Sequence, residues 1–335
     1  MNTIGRLFRT SIFGESHGNV IGMLIDGCPA GIKISENEFT VDLDRRKSGA
    51  NGTTARKEAD VPLVKSGLFK GKTTGAPICI MFENKNVDSA QYERLKDTPR
   101  PGHADMVAMQ KFCGSNDYRG GGHFSGRLTA PLVAAGVVAK KIITPIKIEA
   151  KLIEIHGSKN EDGMEKEINN AIRDGESVGG IIECRVNGLP VGLGEPFFDS
   201  FESLLSHAIF SIPGIKGIEF GAGFGCAEML GSEFNDEILT ANGKTKTNNA
   251  GGINGGITNG NELVFRVAIR PTASISKEQK TINLKTGKQT GIKIEGRHDA
   301  CIALRTPVIV EAVTAIVLAD LKMLNDIALI ERVRK

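Results

Sequence analysis

The chain has 335 residues, of which 40% are hydrophobic, so it can bury a large core as one domain or as two halves. Its 42 basic and 39 acidic residues leave a net charge of +3. A charge this balanced excludes a general nucleic-acid-binding or membrane-surface protein, although a local basic pocket is compatible with it.

The six cysteines are spaced too widely for the common cysteine motifs. No two lie closer than 34 residues along the chain, which excludes a CxxC or zinc-finger spacing. A chain of this length does not need disulfides to hold a core, so we expect reduced thiols and a cytoplasmic protein. The N-terminus lacks the apolar segment of a signal peptide, and the most apolar late segment, 307–319, contains Glu311 and is too short to cross a bilayer. We therefore expect no membrane association.

The first third of the chain reads as strands with helices between them. Ser35 and Glu38 have the spacing of a capping box, which predicts a helix that ends at 42–47. A basic loop rich in Gly and Thr follows at 48–57. Apolar runs bounded by turn residues predict strands at 5–14, 19–27, 61–69 and 76–84.

The rest of the chain continues in the same manner. The helix predicted from Leu128 to Ile142 is apolar nearly all round, which indicates that it is buried. Asp199 is predicted to cap a helix over 200–210, and a long amphipathic helix is predicted from Pro307. The other predicted elements are helices at 105–113 and 159–176 and strands at 146–156, 178–190, 214–225 and 261–270.

Residues 242–261 contain an unusual concentration of Gly, Asn and Thr. The stretch is too long for an ordinary hairpin turn. Its composition leaves two interpretations open, a ligand-binding loop or a mobile loop.

Four other loops combine glycine with His, Arg or Asp, and four of the six histidines occur in them. They are GESHG at 14–18, RPGHAD at 100–105, GGGHFSGR at 120–127 and GRHD at 296–299. One such loop is common on a protein surface. Four of them, three with an arginine, favour a shared pocket for an anionic ligand, because Arg binds phosphate and carboxylate groups through two parallel hydrogen bonds.

The residues of these loops limit the chemistry to a broad class. GGGHFSGR is neither a P-loop nor a Rossmann fingerprint, and no group of His, Cys and carboxylate residues has a compelling metal-ligand spacing. Histidine and aspartate can transfer protons, and a glycine-rich loop that opens a helix offers backbone N–H groups to a phosphate. The residues alone therefore predict acid–base chemistry on a phosphorylated or carboxylated small molecule, and they leave a phosphate-bearing cofactor open.

Nine motifs of the chain are similar, in sequence and in order, to motifs of the chorismate synthase family, and the resemblance covers nearly the whole length. They are FGESHG (13–18), LDRR (43–46), SGLFKGKTTGAPI (66–78), RPGHAD (100–105), YRGGGHFSGRLTA (118–130), GLGEP (192–196), NNAGGINGGI (248–257), RPTASI (270–275) and GRHDAC (296–301). Their number and order make the resemblance highly specific.

The resemblance implies a carbon–oxygen lyase of the shikimate pathway, the route to the aromatic amino acids. Its reaction would be the anti-1,4-elimination of phosphate from 5-enolpyruvylshikimate-3-phosphate, which gives chorismate and requires reduced FMN without net redox change. The implied fold is α/β (α+β), a β-α-β sandwich with helices between antiparallel sheets, as a single domain over 1–335. Composition alone favours a doubly wound sheet instead.

The resemblance also implies partners for the chain. The family is usually a homotetramer that acts on a small-molecule substrate. Some members reduce FMN with their own NADPH-dependent activity, and otherwise an external flavin reductase is a partner. The sequence does not identify which arrangement applies.

The catalytic roles that the resemblance implies fall on three residues. His17 resembles the acid that protonates the leaving phosphate, and His103 resembles the group that protonates the reduced flavin near N1. Asp299 resembles the base that lets flavin N5 accept the ring proton. The alternatives are turn-structuring roles for His17 and Asp299 and a helix-cap role for His103.

Ligand contacts carry over from the family as two sets. The expected substrate contacts are Ser16, Arg46, Arg100 and Arg127. The expected flavin contacts are His123, Phe124, Ser125, Gly255, Arg270, Pro271, Thr272, Ala273, Ser274 and Arg297, and the last could also clamp the substrate. For Arg45, Lys47 and Lys57, a solvated basic face is as good an interpretation as a ligand contact.

The chain departs from the family pattern at two places that bear on the site. Leu128 stands where many members have a glutamate, so any ion pair of that glutamate must be absent. The loop at 49–52 is one residue shorter than in many members, which puts one phosphate contact in doubt. Two rival functions remain at this point: a non-catalytic phosphometabolite- or flavin-binding protein, and a flavin oxidoreductase.

Overall fold

The computed structural model describes residues 2–54, 59–85, 90–294 and 298–328. Its strands are β1 (Thr3–Ile4), β2 (Arg9–Gly14), β3 (Val20–Asp26), β4 (Leu63–Ser66), β5 (Leu68–Phe69), β6 (Lys72–Thr73), β7 (Ile78–Glu83), β8 (Lys147–Ile155), β9 (Gly180–Asn187), β10 (Ile215–Phe220), β11 (Ile253–Asn254), β12 (Ile257–Thr258), β13 (Leu263–Ile269), β14 (Gln279–Asn283) and β15 (Lys288–Ile292). Its helices are α1 (Glu36–Arg46), α2 (Ala90–Leu95), α3 (Asp105–Lys111), α4 (Thr129–Ile143), α5 (Glu161–Asp174), α6 (Phe201–Ile209), α7 (Gly231–Phe234) and α8 (Pro307–Ala328).

Two antiparallel sheets enclose a layer of helices. The first sheet has the strand order β1-β2-β3-β7-β4 and the second has the order β10-β13-β9-β8. Helix α4 packs on β3 and β7 of the first sheet, α8 packs on β8 and β9 of the second, and the two helices pack on each other. This arrangement confirms the β-α-β sandwich. The doubly wound sheet that composition favours is wrong, because that architecture requires a mostly parallel sheet.

Small residues let the two central helices approach closely. A Cβ atom added to Gly136 of α4 would lie 2.4 Å from the Cβ atom of Ala312 in α8. Such a distance is shorter than any van der Waals contact, so the crossing requires glycine at this position. One continuous buried cluster includes side chains from both sheets and from this helix pair.

Helix α8 differs from its prediction. The sequence predicts an amphipathic helix, but every residue from 308 to 321 is buried, because α4, α6 and the second sheet surround this part. Its buried Glu311 accepts two hydrogen bonds of 2.7 Å from the guanidinium of Arg45 and one of 3.1 Å from the backbone N–H of Ala150. The charged residues of α8 that suggest a polar face therefore form hydrogen bonds inside the protein.

Of two helix starts predicted from capping residues, one is confirmed and one is shifted. The capping box at Ser35 is confirmed, since its backbone N–H donates to Glu38 Oε2 at 2.8 Å. The predicted cap of α6 is wrong by one residue. Ser200 Oγ accepts the backbone N–H of Ser203 at 3.1 Å, whereas Asp199 forms an ion pair of 2.6 Å with Arg6.

The Gly- and Asn-rich segment 242–261 is bonded internally and includes the hairpin of β11 and β12. Asn248 Nδ2 donates to the carbonyl of Glu262 at 2.8 Å, and Asp236 accepts the backbone N–H groups of Asn249 and Ala250 at 2.7 and 2.9 Å. Within this protomer the amide side chains therefore shape the loop itself.

None of the helices in the described residues has the length and apolarity that crossing a membrane requires.

Candidate functional site

Residues from all four polar loops line one cavity of about 300 Å³ at an end of the helical layer. Ser16 comes from the turn after β2, Arg100 from the loop before α3, Arg127 from the loop before α4, and Asp299 from the segment before α8. Thr129 and Thr306, at the N-termini of α4 and α8, also line the cavity. Helix N-termini carry positive partial charge, so the fold directs two of them toward the same space.

A second cavity of about 440 Å³ adjoins the first. His103, Phe124, Ser125 and Arg270 line both cavities. Apolar side chains of Ile4, Ile12, Met23 and Leu132 line part of the second cavity, and the remaining wall includes polar residues such as Asn2, Thr10, His123, His207 and Ser211. Both volumes fall at the lower end of the range of about 300–1,000 Å³ that small-molecule sites occupy.

A buried carboxylate joins two arginines at the wall of the first cavity. Asp60 Oδ2 accepts from Arg46 Nη2 at 2.5 Å, and Asp60 Oδ1 accepts from Arg127 Nη1. The side chains of Arg46, Asp60 and Arg127 are only 4%, 1% and 6% exposed. Asp60 also has a φ angle of +47°, which is rare for a residue other than glycine. The local backbone is thus strained to place this carboxylate between the guanidinium groups.

The Arg46–Asp60–Arg127 cluster retains a net positive charge and unfilled donors. Arg46 Nε and Arg127 Nη2 are buried and have no hydrogen-bond acceptor among the described residues. Burial lowers the pKa of Arg46 to about 10, against the attraction of Asp60 and with Arg305 and Arg127 adding repulsion. Arg46 therefore stays charged at neutral pH. Buried guanidinium donors without acceptors are what an anion such as phosphate or carboxylate would satisfy.

Asp299 lies on the opposite wall and is held at both oxygens. Its Oδ1 accepts the backbone N–H of Thr54 at 2.7 Å, and its Oδ2 lies 3.2 Å from Arg305 Nη1. Arg305 Nε in turn donates to the carbonyl of Arg46 at 2.8 Å. Arg305 thereby connects the carboxylate to the Arg46–Asp60–Arg127 cluster.

Arg100, His103 and Asp105 form a second cluster, between the two cavities. Asp105 Oδ2 accepts from Arg100 Nε at 2.7 Å, and Asp105 Oδ1 lies 2.5 Å from His103 Nδ1. Burial alone would raise the pKa of Asp105, but hydrogen bonds from Arg100 and His103 hold it well below its usual range. Arg100 Nη1 also donates to Ser274 Oγ at 3.1 Å. In this cluster the arginine already has its acceptors within the protein.

His17 sits behind the wall of the first cavity rather than on it. The residue is 6% exposed, and its ring packs edge-on against Tyr92 with a centroid distance of 5.1 Å. A Cβ atom on Gly120 would lie 2.3 Å from His17 Cδ2 and 2.9 Å from Ser16 Oγ. Ser16 and Tyr92 themselves line the cavity. The glycine at 120 therefore allows the backbone to cover His17 directly.

The turn that carries Ser16 and His17 is anchored by side chains from elsewhere. His123 Nδ1 lies 2.8 Å from the carbonyl of Gly14, and Asn84 Nδ2 donates to the carbonyl of Gly18 at 2.8 Å. The letters GESHG match a GxSxG nucleophile elbow, but this turn joins two antiparallel strands rather than a strand and a helix. The turn therefore supplies a fixed hydroxyl and imidazole, without the elbow geometry.

The structure assembles most, but not all, of the residues that the sequence analysis assigns to the site. Those that line one or both cavities are Ser16, Arg46, Arg100, His103, His123, Phe124, Ser125, Arg127, Arg270, Thr272, Ala273, Ser274 and Asp299. His17 lies one layer behind them. Pro271 and Gly255 line neither cavity, and Gly255 lies in the turn between β11 and β12. Arg297 lies outside the described residues, as does Lys57.

Residues left open in the sequence analysis also receive a place. Arg45 forms an ion pair with Glu311, so its role is structural. Lys47 lines the cavity, and its Nζ lies 2.7 Å from Asp44 Oδ1. Leu128 is buried against the second cavity, so a glutamate is replaced here by an apolar wall.

Two residues of the site were missed from the sequence, Asp60 and Arg305. Neither belongs to a glycine-rich polar loop, and each acts through a partner that is distant in sequence. A carboxylate at 60 could have been suspected only as the counter-ion that buried arginines need.

The donor set fits a phosphate-bearing flavin beside an anionic substrate. Arg270 lines both cavities, and no carboxylate of the described residues forms an ion pair with it. The Oγ1 atom of Thr272, also at the wall, is buried and without an acceptor or donor among the described residues. The described residues contain no group of three or more His, Cys, Asp and Glu that could hold a metal ion. The site thus offers cationic and hydroxyl contacts next to an apolar surface for a ring system.

Comparison with known proteins agrees with this geometry. The sequence profile described as chorismate synthase matches residues 8–323. The chain is 61% identical to the chorismate synthase of Chitinophaga pinensis over 328 residues, which cover 97% of this chain and 98% of the relative. It is 48% identical to that of Pyrococcus abyssi over 341 residues, covering 94% and 96%.

A solved structure shares the fold. The crystal structure titled as a chorismate synthase superposes with a TM-score of 0.74 at 26% identity, and the match covers 99% of this chain and 96% of the other. Both the sequence and the three-dimensional similarity therefore extend over essentially the full chain.

Proposed function

This chain belongs to the chorismate synthase family, a lyase family that eliminates phosphate from 5-enolpyruvylshikimate-3-phosphate with the help of reduced FMN, and we propose that its two adjoining cavities hold substrate and flavin side by side. The first cavity, with its arginines, takes the anionic substrate. The second, with its apolar walls, takes the flavin ring. Reduced FMN, when bound, lends electron density to the breaking carbon–oxygen bond.

One observation carries the assignment of the first cavity. Arg46 Nε and Arg127 Nη2 are buried, charged groups that lack acceptors among the described residues, although Asp60 binds both guanidinium groups. A buried donor left without a partner costs about 1–3 kcal/mol, and more when charged. A substrate phosphate or carboxylate supplies the missing acceptors and the missing negative charge.

The leaving phosphate then takes a proton from the GESHG turn. We assign the proton to His17, with the Ser16 hydroxyl between the imidazole and the cavity. Ser16 is 1% exposed and lines the cavity, and Tyr92 and Gly120 hold the ring from two sides. A fixed orientation of this kind is what general acid catalysis requires.

His103 and Asp299 serve the flavin side of the reaction. His103 lies at the junction of the two cavities, from which its ring can deliver a proton to a bound flavin. Asp299 is held by Thr54 and Arg305, so its carboxylate has one orientation as the base that assists removal of the ring proton.

An anaerobic assay with substrate and photoreduced FMN tests the proposal. We expect phosphate and chorismate in equal amounts, with no net oxidation of the flavin. Flavin binding without turnover would favour a binding protein instead, and stoichiometric flavin oxidation would favour an oxidoreductase. His17→Ala and His103→Ala are the matched negative controls for the proton-transfer assignments.

We extend the proposal to assembly and setting. The single continuous core supports one domain, and strongly exposed apolar side chains such as Phe197 and Phe198, at 86% and 92%, support association into a homotetramer. Six free cysteines and the modest charge support a cytoplasmic protein. Light scattering of the purified protein tests the tetramer, and dependence of turnover on an added flavin reductase tests the source of the flavin.

A further inference from the structure

The carboxylate of Asp105 determines which nitrogen of His103 faces the ligands. Asp105 Oδ1 lies 2.5 Å from His103 Nδ1. An ionised carboxylate and an unprotonated imidazole nitrogen repel each other at that distance, because both are acceptors. The proton must therefore sit on Nδ1 whenever the ring is neutral, and the lone pair must sit on Nε2.

A competing donor makes this choice dependent on Asp105. Arg100 Nη2 lies 3.0 Å from the same His103 Nδ1, and a guanidinium can only donate. If Arg100 were the sole partner, Nδ1 would have to accept and the proton would move to Nε2. Arg100 Nη2 also donates to Asp105 Oδ1 at 2.8 Å, and the 2.5 Å contact of that oxygen with Nδ1 is the shorter of the two contacts at Nδ1, so the carboxylate decides the tautomer.

Arg100 holds Asp105 through several hydrogen bonds. Its backbone N–H and its Nε both donate to Asp105 Oδ2, at 3.1 and 2.7 Å, and its Nη1 donates to Ser274 Oγ at 3.1 Å. Arg100 is also only 7% exposed. This differs from Arg46 and Arg127, whose buried Nε and Nη2 atoms have no acceptor in the part of the chain that the structure describes.

The opposite edge of the His103 ring is the accessible one. A Cβ atom on Gly121 would lie 3.2 Å from His103 Cε1 and 3.4 Å from Nε2, and Gly121 itself adopts a φ of +80°. The glycine backbone leaves this edge uncovered by a side chain. The ring hydrogen bonds of His103 to described residues are all at Nδ1, and His103 lines both cavities, so Nε2 is the ring nitrogen left for a ligand.

We propose that Asp105 is a positioning residue that keeps His103 in the Nδ1–H form, with Nε2 directed into the cavities, and that Arg100 holds Asp105 in place for this role. The proposal rests on the role of His103 given above. A carboxylate at Nδ1 also fixes the orientation of the ring, in the manner of the aspartate in a Ser-His-Asp triad. His103 itself remains the catalytic residue.

The tautomer can be read directly, without substrate or flavin. Protein with ¹⁵N-labelled histidine is compared with the Asp105→Ala variant at a pH where the ring is neutral, and the signal is assigned by its loss in His103→Ala. We expect Nδ1–H in the original chain and Nε2–H in Asp105→Ala, because Arg100 becomes the remaining neighbour of Nδ1. An Nε2–H ring in the original chain, or the same tautomer in both, would overturn the proposal.

Kinetics separate positioning from a general loss of structure. Asp105→Ala should lower kcat by roughly 10- to 100-fold with KM for the substrate nearly unchanged. The double variant His103→Ala/Asp105→Ala should be no slower than His103→Ala alone, since Asp105 acts through the ring. Additive losses would count against the proposal. Asp105→Asn, which keeps the shape of the side chain, repeats the test if the alanine variant unfolds.

Asp174 provides the control variant for Asp105, and the roles of His103 and Asp105 can fail separately. Asp174→Ala removes an exposed carboxylate that pairs with Arg173 in α5, and it should change neither the tautomer nor kcat. Near-normal turnover of His103→Ala would defeat the function proposed for His103. Loss of turnover in His103→Ala with an unaffected Asp105→Ala would defeat the positioning role alone.

Discussion

The Arg46–Asp60–Arg127 cluster and the Arg100–His103–Asp105 cluster are built from nearly the same residue types, yet they have opposite properties. In the first, one carboxylate binds two guanidinium groups, and two buried N–H donors have no acceptor among the residues that the structure describes. In the second, one carboxylate serves one guanidinium and one imidazole, and the arginine has its acceptors within the protein. The ratio of positive groups to carboxylates therefore separates an anion-binding wall from a proton-transfer group.

Removing the carboxylate of the first cluster should give the largest effect. Asp60→Ala removes the carboxylate with which Arg46 and Arg127 form their ion pairs within the described residues, and breaking a buried pair typically costs about 3–5 kcal/mol of unfolding free energy. Urea unfolding of the flavin-free protein measures this. Asp174→Ala, which breaks an exposed pair, should leave the urea midpoint essentially unchanged. Equal stability of both variants would mean that Asp60 is not the essential counter-ion.

Removing either imidazole should affect turnover more than folding. His17→Ala and His103→Ala should each lower turnover by roughly a hundredfold or more at saturating reduced FMN, as loss of a general acid does. His156, an exposed histidine paired with Glu167, provides the control, and His156→Ala should retain normal turnover. Near-normal turnover in His17→Ala would remove the assignment of the phosphate-side acid.

Arginine-to-lysine changes test the contrast between the clusters directly. Arg127→Lys keeps the charge but cannot contact Asp60 and an anion through two parallel hydrogen bonds, so KM for the substrate should rise by roughly tenfold. Arg100→Lys should leave that KM nearly constant and lower kcat, because its loss disturbs the His103–Asp105 pair. Initial-rate kinetics at fixed reduced FMN measure both. A large KM increase in Arg100→Lys would show that Arg100, like Arg127, binds the substrate.

The two carboxylates should respond alike to acid, and this is the smallest expected effect. The pKa values of Asp60 and Asp105 are both held below the usual range, in each case by neighbouring cations that outweigh the opposing effect of burial. A carboxyl with a depressed folded-state pKa contributes stability that is complete above the unfolded pKa of about 3.9 and is lost as pH falls below it.

Urea midpoints at several pH values check this prediction. We expect these two groups to leave the midpoint constant between about pH 7 and pH 5, and to lower it below about pH 4. Asp105→Asn should have a shallower acid dependence than the original chain. An identical dependence would indicate that Asp105 is not ionised against Arg100 and His103 in the folded protein.

The elements of the fold were largely predictable from local patterns. Alternating and apolar runs located β2, β3, β8 and β13, and the Ser35–Glu38 spacing located the start of α1. The environment of α8 was not predictable in this way. Its sequence contains charged residues that resemble a solvent-facing stripe, and only the packing of the second sheet and of neighbouring helices around it places Glu311 inside the protein, where it binds Arg45.

The sequence by itself determined the class of the site: four polar glycine-rich loops, their arginines and histidines, and the family motifs that imply the reaction. It could do so because glycine, arginine and histidine at loop positions have few other uses in such numbers. Only the tertiary structure decided which arginines are free to bind an anion. That depends on where Asp60 and Asp105 lie relative to guanidinium groups on other segments, and hydrogen-bond partners across the fold leave no local pattern in the chain.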